Sequence, residues 1–181
     1  MIDKALKERI YTWNRDRGLT KLDPSLEIKM LSEERNEFYT AYDHTHIVQE
    51  YCDFLFVCYG TEFKIGCTKY ESMAMFKCWN SQCEDLFEFI YYTKDKIYKR
   101  VDHIIKDYIG YSGYDFYKNL SLVDKIVNKA LLYVIEANEA KSAKKDSSGK
   151  VIKGDKYISP YDRIKETLDF YKSKQASTSK E

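Results

Sequence analysis

A chain of 181 residues, 44% apolar and 33% charged, is long enough for one domain with a sizeable core. A formal net charge of +1 gives no bulk field that would select nucleic acid or a membrane surface as partner, and no stretch approaches the roughly 20 apolar residues of a membrane span. The five cysteines, at 52, 58, 67, 78 and 83, are odd in number and form no C-x-x-C pair, and the N-terminus lacks an apolar run; free thiols, no secretory signal and a cytoplasmic setting are expected.

Only 7 glycines and 2 prolines interrupt the chain, so the fold class expected is all-α rather than turn-rich β. The first helix is expected over about 3–17, stopping near Gly18. Asp23 is an N-cap and Pro24 suits the first helical position, so a second helix runs from there to about Tyr42. A polar turn at 43–45 leads to a third helix over about 46–59, broken by Gly60 and Gly66. Helices are expected over about 70–92 and 96–109, then a loop at 110–113. Ser121 is expected to cap a helix running to about Lys141, and 142–160 to form a loop rich in Lys, Ser and Gly. Pro160 opens a last helix to about Lys172. One domain over 1–172 results, followed by a polar, disordered tail over 173–181. The 17 tyrosines are read mainly as compositional bias.

The charge is unevenly placed. Residues 27–62 carry eight acids against Lys29 and Arg35, a balance of −6, whereas 139–181 carry eleven Lys or Arg against seven acids, a balance of +4. An acidic centre suits a cation; a basic C-terminal part either suits an anion or is a solvated tail.

At about 100° per residue, with Leu26 set to zero, Leu26, Met30, Leu31, Phe38, Ala41 and Tyr42 fill a sector of about 160° on the second helix. Glu37 and Glu34 fall inside that sector, at roughly 20° and 80°, with Glu33 at its edge near 340°. Residues 47–59 read IVQEYCDFLFVCY, apolar around the whole helix, which marks it as buried. Glu50 and Asp53 share one face of it. A hairpin turn centred between Asp43 and His44 sets Glu37 level with Glu50 and Glu34 level with Asp53. Helices packed about 8–10 Å apart let these carboxylates meet. Four converging acids repel one another and take up protons, and no Arg or Lys is expected on the facing stripes. A divalent cation is the natural neutraliser, and an all-oxygen donor set selects Mg²⁺, Mn²⁺ or Ca²⁺. The alternative is a row of outward-facing surface glutamates. A di-iron bundle needs Glu-x-x-His on two helices, and His44, His46 and His103 are not placed that way; His44 and His46 are read as turn and capping residues.

The acids have the form E-E-x-x-E over Glu33, Glu34 and Glu37, then twelve intervening residues, then E-x-x-D over Glu50 and Asp53. This resembles the MazG-like family of all-α nucleoside triphosphate pyrophosphohydrolases. Glu136, Asn138 and Lys141 look like that family's E-x-N-x-x-K helix end. Residues 149–160 are similar to its GKV-x-KGP-x-Y-x-PP tail, with Asp155 replacing the usual proline and Ser159 the first of the final two. Trp13 also has a counterpart in many members. The resemblance covers most of the chain and is weakest at 60–120, where this chain is longer than the minimal fold.

The resemblance implies a MazG-like helical bundle with a four-helix core completed by dimerisation or tetramerisation. It implies Mg²⁺-dependent hydrolysis of a (deoxy)nucleoside triphosphate to the monophosphate and pyrophosphate, with Mn²⁺ as a substitute. Glu34, Glu37, Glu50 and Asp53 would be the metal ligands, and Glu33 would position a water or a further ion. Asn138 and Lys141 would contact the nucleotide, Lys153 would be a second phosphate clamp, and Trp13 would either stack on the base or belong to the core. Phe54, Phe56, Phe76, Trp79, Phe87 and Phe89 would supply either the oligomer interface or an internal core. Two other readings compete: a related all-α hydrolase preferring dUTP or dCTP, and a non-catalytic helical adaptor with its acids in solvent. Neither nucleic acid nor membrane is expected as a partner.

Overall fold

The computed structural model describes residues 1–72, 81–111, 116–141 and 157–178, which form six helices with no strand among them. These are α1 (Lys4–Asp16), α2 (Pro24–Thr40), α3 (His44–Ser72), α4 (Ser81–Ile109), α5 (Phe116–Glu139) and α6 (Tyr161–Thr178). The chain is all-α, as its composition predicts. No described helix is long and apolar enough to cross a membrane.

The expected boundaries at Asp23 and Gly18 are kept. Asp23 accepts the Leu26 N–H at 3.2 Å with Pro24 opening α2, and Gly18 ends the first helical segment in the left-handed region at φ +65°. Asp43 accepts the His46 N–H at 2.8 Å, so α3 begins at His44, two residues earlier than expected.

Helix three differs most from its expectation. It runs unbroken through Gly60 and Gly66 to Ser72. Gly60 is a packing residue: a Cβ there would lie 3.1 Å from Nδ2 and 3.3 Å from Oδ1 of Asn14, whose carboxamide is buried against it and donates to the Ile10 carbonyl. The two helices expected over 70–92 and 96–109 are a single helix from Ser81 to Ile109, while 73–80 lie outside the described residues. Ser121 sits inside α5 rather than at its start, because the helix already begins at Phe116. The tail expected to be disordered from Ser173 is helical as far as Thr178, since α6 continues past Lys172. Of the loop expected at 142–160, residues 142–156 lie outside the described residues.

Helix α3 is the axis of the bundle and packs against α1, α2, α4, α5 and α6. Tyr51, Cys52, Phe54, Leu55 and Cys58 of this helix are almost wholly buried. The surrounding helices each present an apolar stripe to it or to each other. On α4 the stripe is Leu86, Ile90, Ile97, Val101, Ile105 and Ile109, at helical spacing. Each such side chain contributes about 1.5–3 kcal/mol by leaving water. The core around α3 is therefore filled by this chain's own helices. Phe54 and Phe56 belong to it, Phe87 is 52% exposed, and Phe76 and Trp79 lie outside the described residues.

Several tyrosines are ties between helices rather than compositional noise. Tyr98 donates to Asp124 at 2.9 Å, joining α4 to α5, and Tyr108 donates to Asp169, joining α4 to α6. Cys52 and Cys58 are free, buried packing residues, and burial pushes both thiols up.

Candidate metal centre

The buried stripe of α2 is Glu27, Leu31 and Phe38, with Glu34 half-buried among them. On the wheel used above these four stand at about 100°, 140°, 120° and 80°. The inward face is thus narrower than expected and centred farther from Leu26, which is 50% exposed. Tyr42 is 81% exposed and lies beyond the helix end. Glu34 remains on the inner side, whereas Glu37 and Glu33 are exposed, as their angles of about 20° and 340° require.

Three carboxylates nevertheless converge. One oxygen from each of Glu34, Glu37 and Glu50 lies within 4.8 Å of the others. The hairpin register does this: α2 and α3 run antiparallel about the turn at 41–43, so Glu37 meets Glu50. Asp53, one turn beyond Glu50, lies outside that 4.8 Å grouping, although its charge is the leading electrostatic influence on both Glu34 and Glu50. Glu33 does not join the cluster.

Burial and crowding change what these acids are. Burial pushes Glu34 up to about 8, the negative charges of Asp53, Glu37 and Glu50 push in the same direction, and Lys141 opposes them. Burial, Asp53 and Glu37 push Glu50 up to about 7, with His46 opposing. The donor chemistry fits a hard divalent cation: all oxygen, clustered, and short of positive charge. The expectation that no basic residue faces these helices needs correction on two counts. Lys141 reaches toward Glu34 from just past the end of α5, and Lys64 of α3 pairs with Glu27 at 2.6 Å.

The end of α5 forms the adjoining wall. Lys141 donates to the Asn138 side-chain oxygen at 2.7 Å, and the Asn138 amide donates to the Val134 carbonyl at 2.9 Å. Asn138 is buried with both polar atoms engaged, so it positions Lys141 instead of presenting a free amide. Trp13 is 9% exposed, donates to the Asn138 carbonyl at 3.0 Å, and has its ring edge-on to Phe56 and under the Arg17 guanidinium. That is a core residue holding the end of α5. Glu136 pairs with Arg163 of α6. Lys153 lies outside the described residues. Tyr157, the tyrosine of the tail-like pattern and given no role from the sequence, lies near the acids: burial and the charges of Asp53 and Glu50 raise its hydroxyl.

At the turn end stands a group that the sequence reading passed over. His46 Nδ1 lies 2.8 Å from Asp43 Oδ2, and the Tyr161 hydroxyl donates to the same oxygen at 3.2 Å. Asp43, and not either histidine, caps α3.

No protein-family model matches the chain, and neither a curated protein nor a solved structure matches it. Function therefore rests on the site itself: clustered hard oxygen donors on one wall, a positioned lysine on another, and aromatic groups above.

Proposed function

We propose that this protein is a MazG-like pyrophosphohydrolase that hydrolyses a (deoxy)nucleoside triphosphate to the monophosphate and pyrophosphate with Mg²⁺, and accepts Mn²⁺ in its place. The observation that carries the reading is the meeting of Glu34, Glu37 and Glu50 within 4.8 Å, beside Asp53, on the two helices that bear the family-like acidic pattern. Such a cluster weakens a fold that has no cation, and it is what a hard cation needs. A bound divalent cation supplies neutralisation of phosphate oxygens and acidification of a water molecule.

The chain supplies the remainder. Glu34, Glu37, Glu50 and Asp53 hold the cation, and the exposed Glu37 leaves the cluster open on its solvent side to phosphates. Glu33, just outside the cluster, orients water. Lys141, fixed by Asn138, offsets phosphate charge from the α5 wall, with Lys153 as a second clamp. Water adds to the phosphorus of the nucleoside monophosphate part, and pyrophosphate leaves with the bridging oxygen. The reading carries with it a cytoplasmic setting and a dimer or tetramer, for which the exposed Phe87, Tyr91 and Tyr92 of α4 offer an apolar face. A non-catalytic adaptor would keep all of its acids in solvent, and the burial that shifts Glu34 argues against it.

A panel of (d)NTPs with Mg²⁺ and Mn²⁺, scored for pyrophosphate against phosphate release, tests the proposal and separates a dUTP or dCTP preference from a broad one. Glu37→Gln and Asp53→Asn are expected to abolish pyrophosphate release with the helical circular dichroism unchanged. Persistent turnover in either variant removes these residues from catalysis.

A further inference from the structure

Resting on the pyrophosphohydrolase reading, we propose that the substrate's nucleobase docks on an aromatic platform made by Tyr42, His46 and Tyr161 at the turn end of the carboxylate row. The three rings are contiguous, with centroids 4.5 Å apart for Tyr42 and His46 and 4.6 Å apart for His46 and Tyr161. Asp43 fixes the arrangement by bonding both His46 Nδ1 and the Tyr161 hydroxyl through one oxygen. A surface tyrosine alone would be a mobile side chain; tied to a held imidazole, Tyr42 is partly preorganised. It is still 81% exposed, which leaves most of its ring open.

The platform adjoins the acids. His46 stands four residues, about one helical turn, before Glu50 on the same face of α3, a rise of about 6 Å that a ribose bridges. Tyr157, which senses Glu50 and Asp53, leads along the chain to Tyr161. The opposite end of the row offers a base little. Trp13 and Asn138 are 9% and 6% exposed there, with the indole N–H and both Asn138 side-chain polar atoms bonded internally. A triphosphate lying along the carboxylates therefore has its open aromatic end at the turn. Stacking on a tyrosine face accepts purines and pyrimidines alike, so the enzyme discriminates weakly among bases.

The test compares the full-length protein with Tyr42→Ala and Tyr42→Trp, measuring KM and kcat with Mg²⁺ and the adenosine, guanosine, cytidine and uridine triphosphates, each in its ribose and deoxyribose form. Inhibition by inorganic tripolyphosphate, which has the phosphates and no base, is measured in parallel. Tyr42→Ala is expected to raise KM for all four bases by about tenfold, with kcat unchanged. Tyr42→Trp is expected to restore KM, and tripolyphosphate to inhibit all three proteins alike. An unchanged KM in Tyr42→Ala, in the presence of wild-type turnover, overturns the platform and leaves the hydrolytic reading standing. If the wild type turns over none of them, the hydrolytic reading fails, and equilibrium binding of the same nucleotides against tripolyphosphate decides the platform. A nucleotide preference lost in Tyr42→Ala supports it, and equal binding by the two proteins overturns it.

Discussion

Lys64 donates to Glu27 at 2.6 Å inside the α2–α3 interface, two helical turns before Glu34 on the same stripe of α2. Thr61 donates to the other Glu27 oxygen at 2.7 Å, and Glu27 and Lys64 are 1% and 8% exposed. Glu34 forms no ion pair among the described residues, although it shares that stripe. Glu27 is neutralised by a lysine of the facing helix, whereas Glu34 has only the more distant influence of Lys141 among the described residues.

The Glu27 pair is expected to be structural. Lys64→Met strands a buried carboxylate and should lower stability by about 3–5 kcal/mol, measured by urea denaturation. Replacing both residues by Met should recover most of that loss, because no unpaired charge remains. A Lys64→Met protein as stable as wild type would contradict the pairing.

The metal-free protein should weaken as pH rises. Glu34 and Glu50, raised from 4.5 to about 8 and about 7, hold protons more tightly folded than unfolded. Their contribution to stability is fully present below the unfolded value and is lost as pH climbs through the folded values. Thermal melts in chelator should show a midpoint falling between about pH 5 and pH 8, with Mg²⁺ restoring it. Magnesium binding at pH 7 should release on the order of one proton, read by calorimetry in buffers of different ionisation heat. A midpoint that climbs across this window in chelator would contradict the assignment.

Glu34→Gln should separate stability from activity. It removes a buried, crowded carboxylate, so the metal-free variant should melt at a higher temperature than wild type near pH 8. Pyrophosphate release should fall by more than about 100-fold, beyond the loss expected from a supporting contact alone. Loss of both stability and activity would mean that Glu34 is an ordinary packing residue.

Lys141 is expected to act on substrate binding. Lys141→Ala should raise KM by about tenfold or more with a smaller effect on kcat, because the ammonium meets phosphate charge in the ground state and the transition state alike. Asn138→Ala, which frees Lys141 from its 2.7 Å bond, should show a milder form of the same KM effect. An unchanged KM in Lys141→Ala would remove the clamp.

The α2–α3 hairpin and the meeting of its acids were legible because both follow from distances along the chain to one turn. Asp23 announces a helix start that the structure keeps, whereas Asp43, read as part of a turn, is the cap of α3. The rotation of α2 was less legible. Its inward stripe is half acidic, so apolar residues alone pull the apparent face toward Leu26 and Tyr42, both of which are exposed. Gly60 reads as a breaker in any single sequence, since only the approach of Asn14 reveals that its missing side chain is a packing requirement. That misreading ended the third helix early and hid Thr61 and Lys64, and with them the partner of Glu27. The Asp43, His46 and Tyr161 group joins residues more than a hundred positions apart, and no local pattern brings α6 to that turn.

The most direct test of the cation site is equilibrium binding of Mn²⁺, followed by electron paramagnetic resonance, to wild type and to Glu50→Gln. Saturable sub-millimolar binding by the wild type that is lost in Glu50→Gln is the predicted result. Equal binding by the two proteins, or none by the wild type, would contradict a metal centre at Glu34, Glu37, Glu50 and Asp53.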